Sequence, residues 1–280
     1  MLSVKENVKG EKYQKLQELK EKLNFMVKGL ENYPKDNRPI YYIANHSCLM
    51  DIFYLSMAVP DNQIMVVSNR IVYKPIKEKQ DTINNYLYTL PLEPTGKKYA
   101  DISINAASEI LASGVNLSIF PEGVYNDRTA ITRGRTGMAR ILFETCRKGI
   151  TPYLVPIAID VDTKDPTLDR YTICEDDNIE VKILEPVDYE YLIGDYSKSD
   201  SITEKNAILH EVTDECMQNI AEALSVPFTG EYKPAIPKDN IMFQDGTTIA
   251  LEEASLEKNI NRFKIEINTR TEKLIRVLRK

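Results

Sequence analysis

The sequence predicts an α/β fold, a mostly parallel central sheet flanked by helices, with an amphipathic helix at each end. Three observations predict it. Apolar runs of strand length alternate with longer segments of helical period. Those runs are apolar nearly throughout, as strands covered on both faces require. Gly114 and Gly149 end two of the helical segments, where chain reversals belong. A chain of 280 residues can bury a full core, as one large domain with extensions or as two small ones.

Taken in order, Leu16, Leu19, Leu23, Met26 and Leu30 alternate three- and four-residue spacings, which predicts one helix over residues 1–32. Pro39–Ala44 reads as a buried strand, Leu49–Val59 as a helix and Gln63–Ser68 as a second strand. Asp81–Leu87 reads as helical, and Tyr88–Leu92 as a short strand before the turn at residues 93–97. Ala100–Ser113 is a helix that Gly114 stops. Val115–Phe120 is a strand, and Arg135–Lys148 a helix ending at Gly149. Tyr153–Val161 and Ile179–Leu184 are strands. Thr203–Leu224 is a helix with Ile208, Val212, Ile220 and Leu224 on one face. Residues 225–249, rich in Pro and Gly, read as a linker to a C-terminal helix striped by Leu256, Ile260, Phe263, Ile267 and Leu274. The predicted units are therefore a helix at 1–32, an α/β domain at 33–224, and a linker with a helix at 225–280.

A net charge of −6 excludes a nucleic-acid binder as a whole. Charge is nevertheless divided by region. The first 31 residues carry seven Lys and five Glu, and residues 252–280 carry eight Lys or Arg and five Glu. Two readings coexist: the end helices pack on the body, or their basic faces touch anionic lipid. No apolar run approaches the ~18 residues that span a bilayer, and the N-terminus lacks the apolar core of a signal peptide. The expectation is a cytoplasmic protein, at most peripheral on the inner face of the membrane. Cys48, Cys146, Cys174 and Cys216 are far apart and match no metal spacing, so reduced thiols and no metal are expected.

His46 is one of two histidines, and Asp51 is the only acid between Tyr41 and Pro60. A strand ends near Ala44 and a helix begins near Ser47, which places His46 at the carboxyl end of a strand, where α/β sheets bind ligands. Asp51, about one turn into that helix, can reach back to the imidazole. A carboxylate on one ring nitrogen fixes the tautomer and makes the other nitrogen a general base. Alone, a pair at this spacing also fits a helix cap and a satisfied polar residue.

A second element follows a strand at Ser118–Gly123, and a Val-Pro pair opens VPIAI at 155–159. With NHSCLMD at 45–51 and FPEG at 120–123, the chain resembles the glycerolipid acyltransferase family, the PlsC-like lysophosphatidate acyltransferases, over roughly residues 38–224. The resemblance implies that His46 is the general base and Asp51 its orienting partner. A lyso-lipid hydroxyl then attacks the thioester of acyl-CoA or acyl-carrier protein directly, with no cofactor and no role for Ser47 or Cys48 as nucleophile. It implies that Glu122 binds or positions the acceptor, together with Pro121 and Gly123. Backbone N–H groups near Gly123 or at the helix start are the expected oxyanion donors.

The chain departs from the family at two expected phosphate partners. FPEG continues as Val124-Tyr125-Asn126, so Tyr125 stands at an arginine position, and Glu93 or Pro94 stands at the other. Lys97, Lys98, Arg128, Arg133 and Arg135 are the available substitutes, with Arg133 and Arg135 ahead because their run precedes a helix. The same residues also fit a non-phosphate lyso-lipid acceptor, an acyl-thioester hydrolase, or an inactive lipid-binding protein. Release of thiol without acceptor marks the hydrolase, and the intact His46–Asp51 pair argues against the inactive protein. Asn45 reads as a turn or cap residue, and His210 on a helix surface is given no role.

Overall fold

The computed structural model describes residues 11–68, 83, 86–93, 97–163, 177–234, 240–245 and 247–279. The expected α/β sandwich is present. Its strands are β1 (Asn24–Lys28), β2 (Ile40–Ala44), β3 (Gln63–Ser68), β4 (Tyr88–Leu92), β5 (Asn116–Ile119), β6 (Tyr153–Asp162) and β7 (Asn178–Ile183), in the sheet order β1-β7-β6-β2-β5-β3-β4. From β6 to β4 every pairing is parallel. β7 joins β6 antiparallel, and β1 runs parallel to β7.

Helices α1 (Glu11–Lys20) and α2 (Asp51–Ala58) cover one face. The other carries α3 (Lys97–Ala112), α4 (Gly137–Arg147), the short α5 (Ile193–Lys198) and α6 (Ile202–Leu224), and, after α7 (Leu251–Ala254), α8 (Glu257–Leu278). The pleat divides each central strand between two cores: Tyr41 and Ile43 of β2 face the α3 side, while Ile40, Tyr42 and Ala44 face α2. Both faces are buried, which is why these strands read as continuous apolar runs.

The helix expected over 1–32 is not one element. Among the described residues it is confined to α1, and Asn24–Lys28 is instead the edge strand. Its exposure alternates: Phe25 and Val27 pack inward while Asn24, Met26 and Lys28 are exposed. Pairing with β7 outweighs the weak helical stripe. Gly29 ends the strand at φ +75°, where a Cβ would lie 2.0 Å from the carbonyl oxygen of Ile183.

Residues 225–249 are more than a linker. Phe228 bridges to Ile131, a small antiparallel pair forms from β8 (Asn240–Met242) and β9 (Thr248–Ala250), and Ile241 and Phe243 are fully buried. They share a core with Phe263, Ile267 and Leu274 of α8, so the apolar stripe of the C-terminal helix is spent on the body. The core therefore does not break at residue 224. Of the predicted helix Asp81–Leu87, only Ile83, Tyr86 and Leu87 lie within the described residues, and Ile83 and Tyr86 are helical. Pro94 and Cys174 lie outside them. Among the described residues no helix is long and apolar enough to cross a membrane.

Candidate active site

β2 delivers His46 to the carboxyl edge of the sheet. Its ladder is completed by a side chain: the Asn45 amide donates Nδ2–H to the Ile159 carbonyl (2.9 Å) and accepts the Ile159 N–H (2.8 Å). This ties the end of β2 to the VPIAI stretch of β6 and gives Asn45 a structural role at the strand end.

After His46 the chain makes a turn rather than a helix, and α2 opens at Asp51, not near Ser47. That correction explains the geometry. Asp51 is fully buried at the first helical position, and its Oδ2 accepts the N–H groups of Ser47 (2.6 Å) and Cys48 (2.8 Å). The same oxygen lies 3.0 Å from His46 Nδ1. A carboxylate only accepts, so Nδ1 carries the proton and Nε2 is left as a lone-pair base. Phe120 stacks on the ring at 4.2 Å, and Tyr125 meets it edge-on at 4.5 Å. The His46 side chain is 10% exposed, and Nε2 makes no hydrogen bond among the described residues.

A second buried carboxylate stands beside the first. Glu122 Oε1 accepts the N–H of His46 (3.0 Å) and Nδ2–H of Asn126 (2.7 Å). Oε2 accepts from Asn126 Nδ2 (3.0 Å), Thr132 N (3.2 Å) and Thr132 Oγ1 (2.6 Å). These donors satisfy a buried charge without a cation. The family resemblance assigns Glu122 to the acceptor. Its contacts here hold the loop that carries the base.

Pro121 and Gly123 shape the turn. Gly123 sits at φ +69°, and a Cβ there would lie 3.2 Å from Arg135 Nε. The Pro121 carbonyl accepts the Arg135 N–H at 2.8 Å. Arg135 is half-buried over this turn and donates to the carbonyl of Lys233 (3.2 Å), with no ion pair among the described residues. Arg133 differs: its guanidinium forks onto Asp214 of α6, with Nε 3.0 and 3.1 Å from the two oxygens. The structure thus brings Arg135, and not Arg133, to the motif. Lys97 and Lys98 are exposed at the start of α3, and Glu93 is buried.

Two other expectations need correction or gain a reason. The amides of Ser47 and Cys48 are spent on Asp51, and that of Gly123 on Phe120 O (3.2 Å), so none of the three is available as an oxyanion donor. Burial, and after it the charge of Asp51, pushes the Cys48 thiol up to about 12, which keeps it protonated and non-nucleophilic. Among the described residues no three His, Cys, Asp or Glu side chains gather as a metal site. His210, on α6, lies 3.3 Å from the Tyr232 hydroxyl.

Sequence reasoning missed Asn126 and Thr132. They lie in a loop with no periodicity, and a single sequence gives them no signal beyond their nearness to FPEG.

Residues 24–160 match the family model described as Acyltransferase, which begins at β1 rather than at residue 38. The chain is 24% identical over 231 residues to the protein named Taffazin from Dictyostelium discoideum, covering 77% of this chain and 78% of that one. Among solved structures it is similar to the 1-acyl-sn-glycerophosphate (LPA) acyltransferase PlsC of Thermotoga maritima, with 20% identity, a TM-score of 0.42, and 74% and 78% of the two chains covered.

Proposed function

We propose that this chain, whose residues 24–160 match the Acyltransferase family model, transfers a fatty acyl group from an acyl thioester, on CoA or a carrier protein, to the hydroxyl of a lyso-phospholipid. The observation that carries this is the His46 Nδ1–Asp51 contact at 3.0 Å, with Nε2 making no hydrogen bond among the described residues. Nε2 takes the proton of the acceptor hydroxyl as its oxygen attacks the thioester carbonyl. Asp51 steadies the imidazolium that forms. The tetrahedral intermediate collapses, the C–S bond breaks, and the imidazolium returns its proton to the departing thiolate. The ester and the free thiol are the products. The buried, protonated Cys48 supports direct transfer over an acyl-enzyme. As proposed, the step uses the two substrates and these side chains alone.

Arg135 is our candidate to meet an acceptor phosphate: it lies against Gly123, and its guanidinium contacts the Lys233 carbonyl and the Tyr232 ring. Contact with an anionic membrane surface would use the outer face of α8, where Ile265 and Val277 are exposed among Lys264, Lys273 and Arg276. Sedimentation with phosphatidylserine vesicles checks that face: a K264E/K273E/R276E variant binding as well as wild type rules it out.

The function is tested by thiol release from palmitoyl-CoA with and without lysophosphatidate. Acceptor-dependent release that vanishes in His46→Ala is the expected result. Release independent of every lyso-lipid offered would make the protein a hydrolase and sink the proposal.

A further inference from the structure

Asn126 makes polar contacts in three directions from a nearly dry position, 2% exposed. Its backbone N–H donates to the carbonyl of His46 itself (2.7 Å). Its side-chain amide donates to both oxygens of Glu122. Its Oδ1 accepts the N–H of Arg128 (3.0 Å). That last bond closes a turn holding Arg128 at φ +67°, a left-handed backbone uncommon for a residue with a Cβ and a recurrent mark of functional loops. From there the Arg128 side chain crosses back to the base. Nε donates to Ser47 Oγ (3.0 Å), and Nη1 donates to the Val161 carbonyl at the end of β6 (2.9 Å).

We propose that Asn126 and Arg128 are positioning residues for acyl transfer, a clamp that holds the His46–Asp51 turn against β6 and the Phe120–Gly123 loop. The inference rests on the acyltransferase reading and adds two residues to it. Both backbone groups of His46 are tied into this clamp, its N–H through Glu122 and its C=O directly to Asn126. The ring can aim Nε2 only if that backbone is fixed. A displacement of about 1 Å at a reacting group costs on the order of a hundredfold in rate. Asn126 also supplies two of the hydrogen bonds that satisfy Glu122. Without them the carboxylate pulls harder on its other donors, His46 N–H included. Neither residue touches Nε2, so the clamp acts through the turn and not on substrate.

The experiment compares full-length wild type with N126A, N126D, E122Q/N126D and R128Q. kcat and KM are measured with palmitoyl-CoA and lysophosphatidate, thermal melts establish folding, and ring ¹⁵N spectra report the tautomer of His46 against the one other histidine. N126A and R128Q are expected to lower kcat at least tenfold with KM for both substrates unchanged. N126D sets a carboxylate against Glu122 and falls further. E122Q/N126D restores a donor–acceptor pair with the roles exchanged, and recovers at least tenfold over N126D. In wild type the His46 ring shows a single Nδ1–H tautomer, and in N126A it broadens or mixes. Folded N126A and R128Q with wild-type kcat overturn the proposal. So does R128Q that raises KM for lysophosphatidate while kcat stays intact, because Arg128 is then an acceptor contact. Should N126A not fold, R128Q and the exchanged pair decide. If wild type itself turns over no acyl donor, the acyltransferase reading has failed on its own, and the spectra settle the clamp: an unchanged His46 ring in both variants overturns it.

Discussion

Asp51 Oδ2 serves His46 Nδ1 at 3.0 Å and the amides of Ser47 and Cys48 at 2.6 and 2.8 Å with one oxygen. The acid that orients the base also builds the turn on which the base stands. Asp51→Asn can keep one oxygen at the Oδ2 position for all three donors, but it loses the charge and turns an N–H toward Ser47 Oγ and Cys48 Sγ, which donate to Oδ1 at 3.4 Å. The expected loss in kcat is about 10²- to 10⁴-fold with little change in KM. The expected loss in stability is about 1–3 kcal/mol, from a buried group left without its partner. Steady-state kinetics and urea melts on the same preparation read both. A variant that loses activity at full stability would mean that the turn stands without Asp51.

Cys48 lies in the catalytic turn yet carries a thiol raised to about 12, first by burial and then by the charge of Asp51. A nucleophile held protonated does no chemistry at neutral pH. Cys48→Ala should therefore keep kcat within a few-fold. Alkylation of Cys48 by iodoacetamide should stay far slower than that of an ordinary thiol throughout pH 7 to 9, rising with pH without the plateau that an ordinary thiol reaches near its own pKa. Rapid labelling across that range, or an acyl-thioester trapped on Cys48, would overturn direct transfer.

Gly29 separates two readings of the N-terminal segment. In the interior of a helix over 1–32, Gly29→Ala would stabilise by about 1 kcal/mol. At the observed φ of +75°, with Ile183 O 2.0 Å from the new Cβ, the sign reverses. The expected change is a destabilisation of about 2 kcal/mol or more, seen as a lower Tm. A raised Tm would restore the helix.

β2, β3, β4 and the strands around FPEG and VPIAI were legible in the sequence because burial on both faces makes a strand a bare apolar run. The edge strand β1 was not, since its alternation spans five residues and its partner β7 lies about 150 residues away. His46 and Asp51 stood out by scarcity and spacing. The clamp did not, because Glu122, Asn126 and Thr132 meet through loop geometry that no periodicity encodes. Arg133 and Arg135 looked equivalent as sequence. Only the fold shows that Asp214, about 80 residues on, takes one of them.

Arg133 is paired with Asp214 by a partly exposed fork, so Arg133→Ala should cost no more than about 1 kcal/mol and leave acceptor preference alone. Arg135 lies on the Gly123 turn, where its partners among the described residues are the Lys233 carbonyl and the Tyr232 ring and not a carboxylate, so its charge is available to a phosphate. Loss of a charge-assisted contact of about 1.5–3 kcal/mol corresponds to a KM about ten- to a hundredfold higher. Arg135→Ala should show that increase with lysophosphatidate and little change with monoacylglycerol, which lacks the phosphate. Equal effects on both acceptors would assign Arg135 to the shape of the turn. Preference for monoacylglycerol in the wild type would mean that the missing family arginines have not been replaced, and that the natural acceptor carries no phosphate at this site.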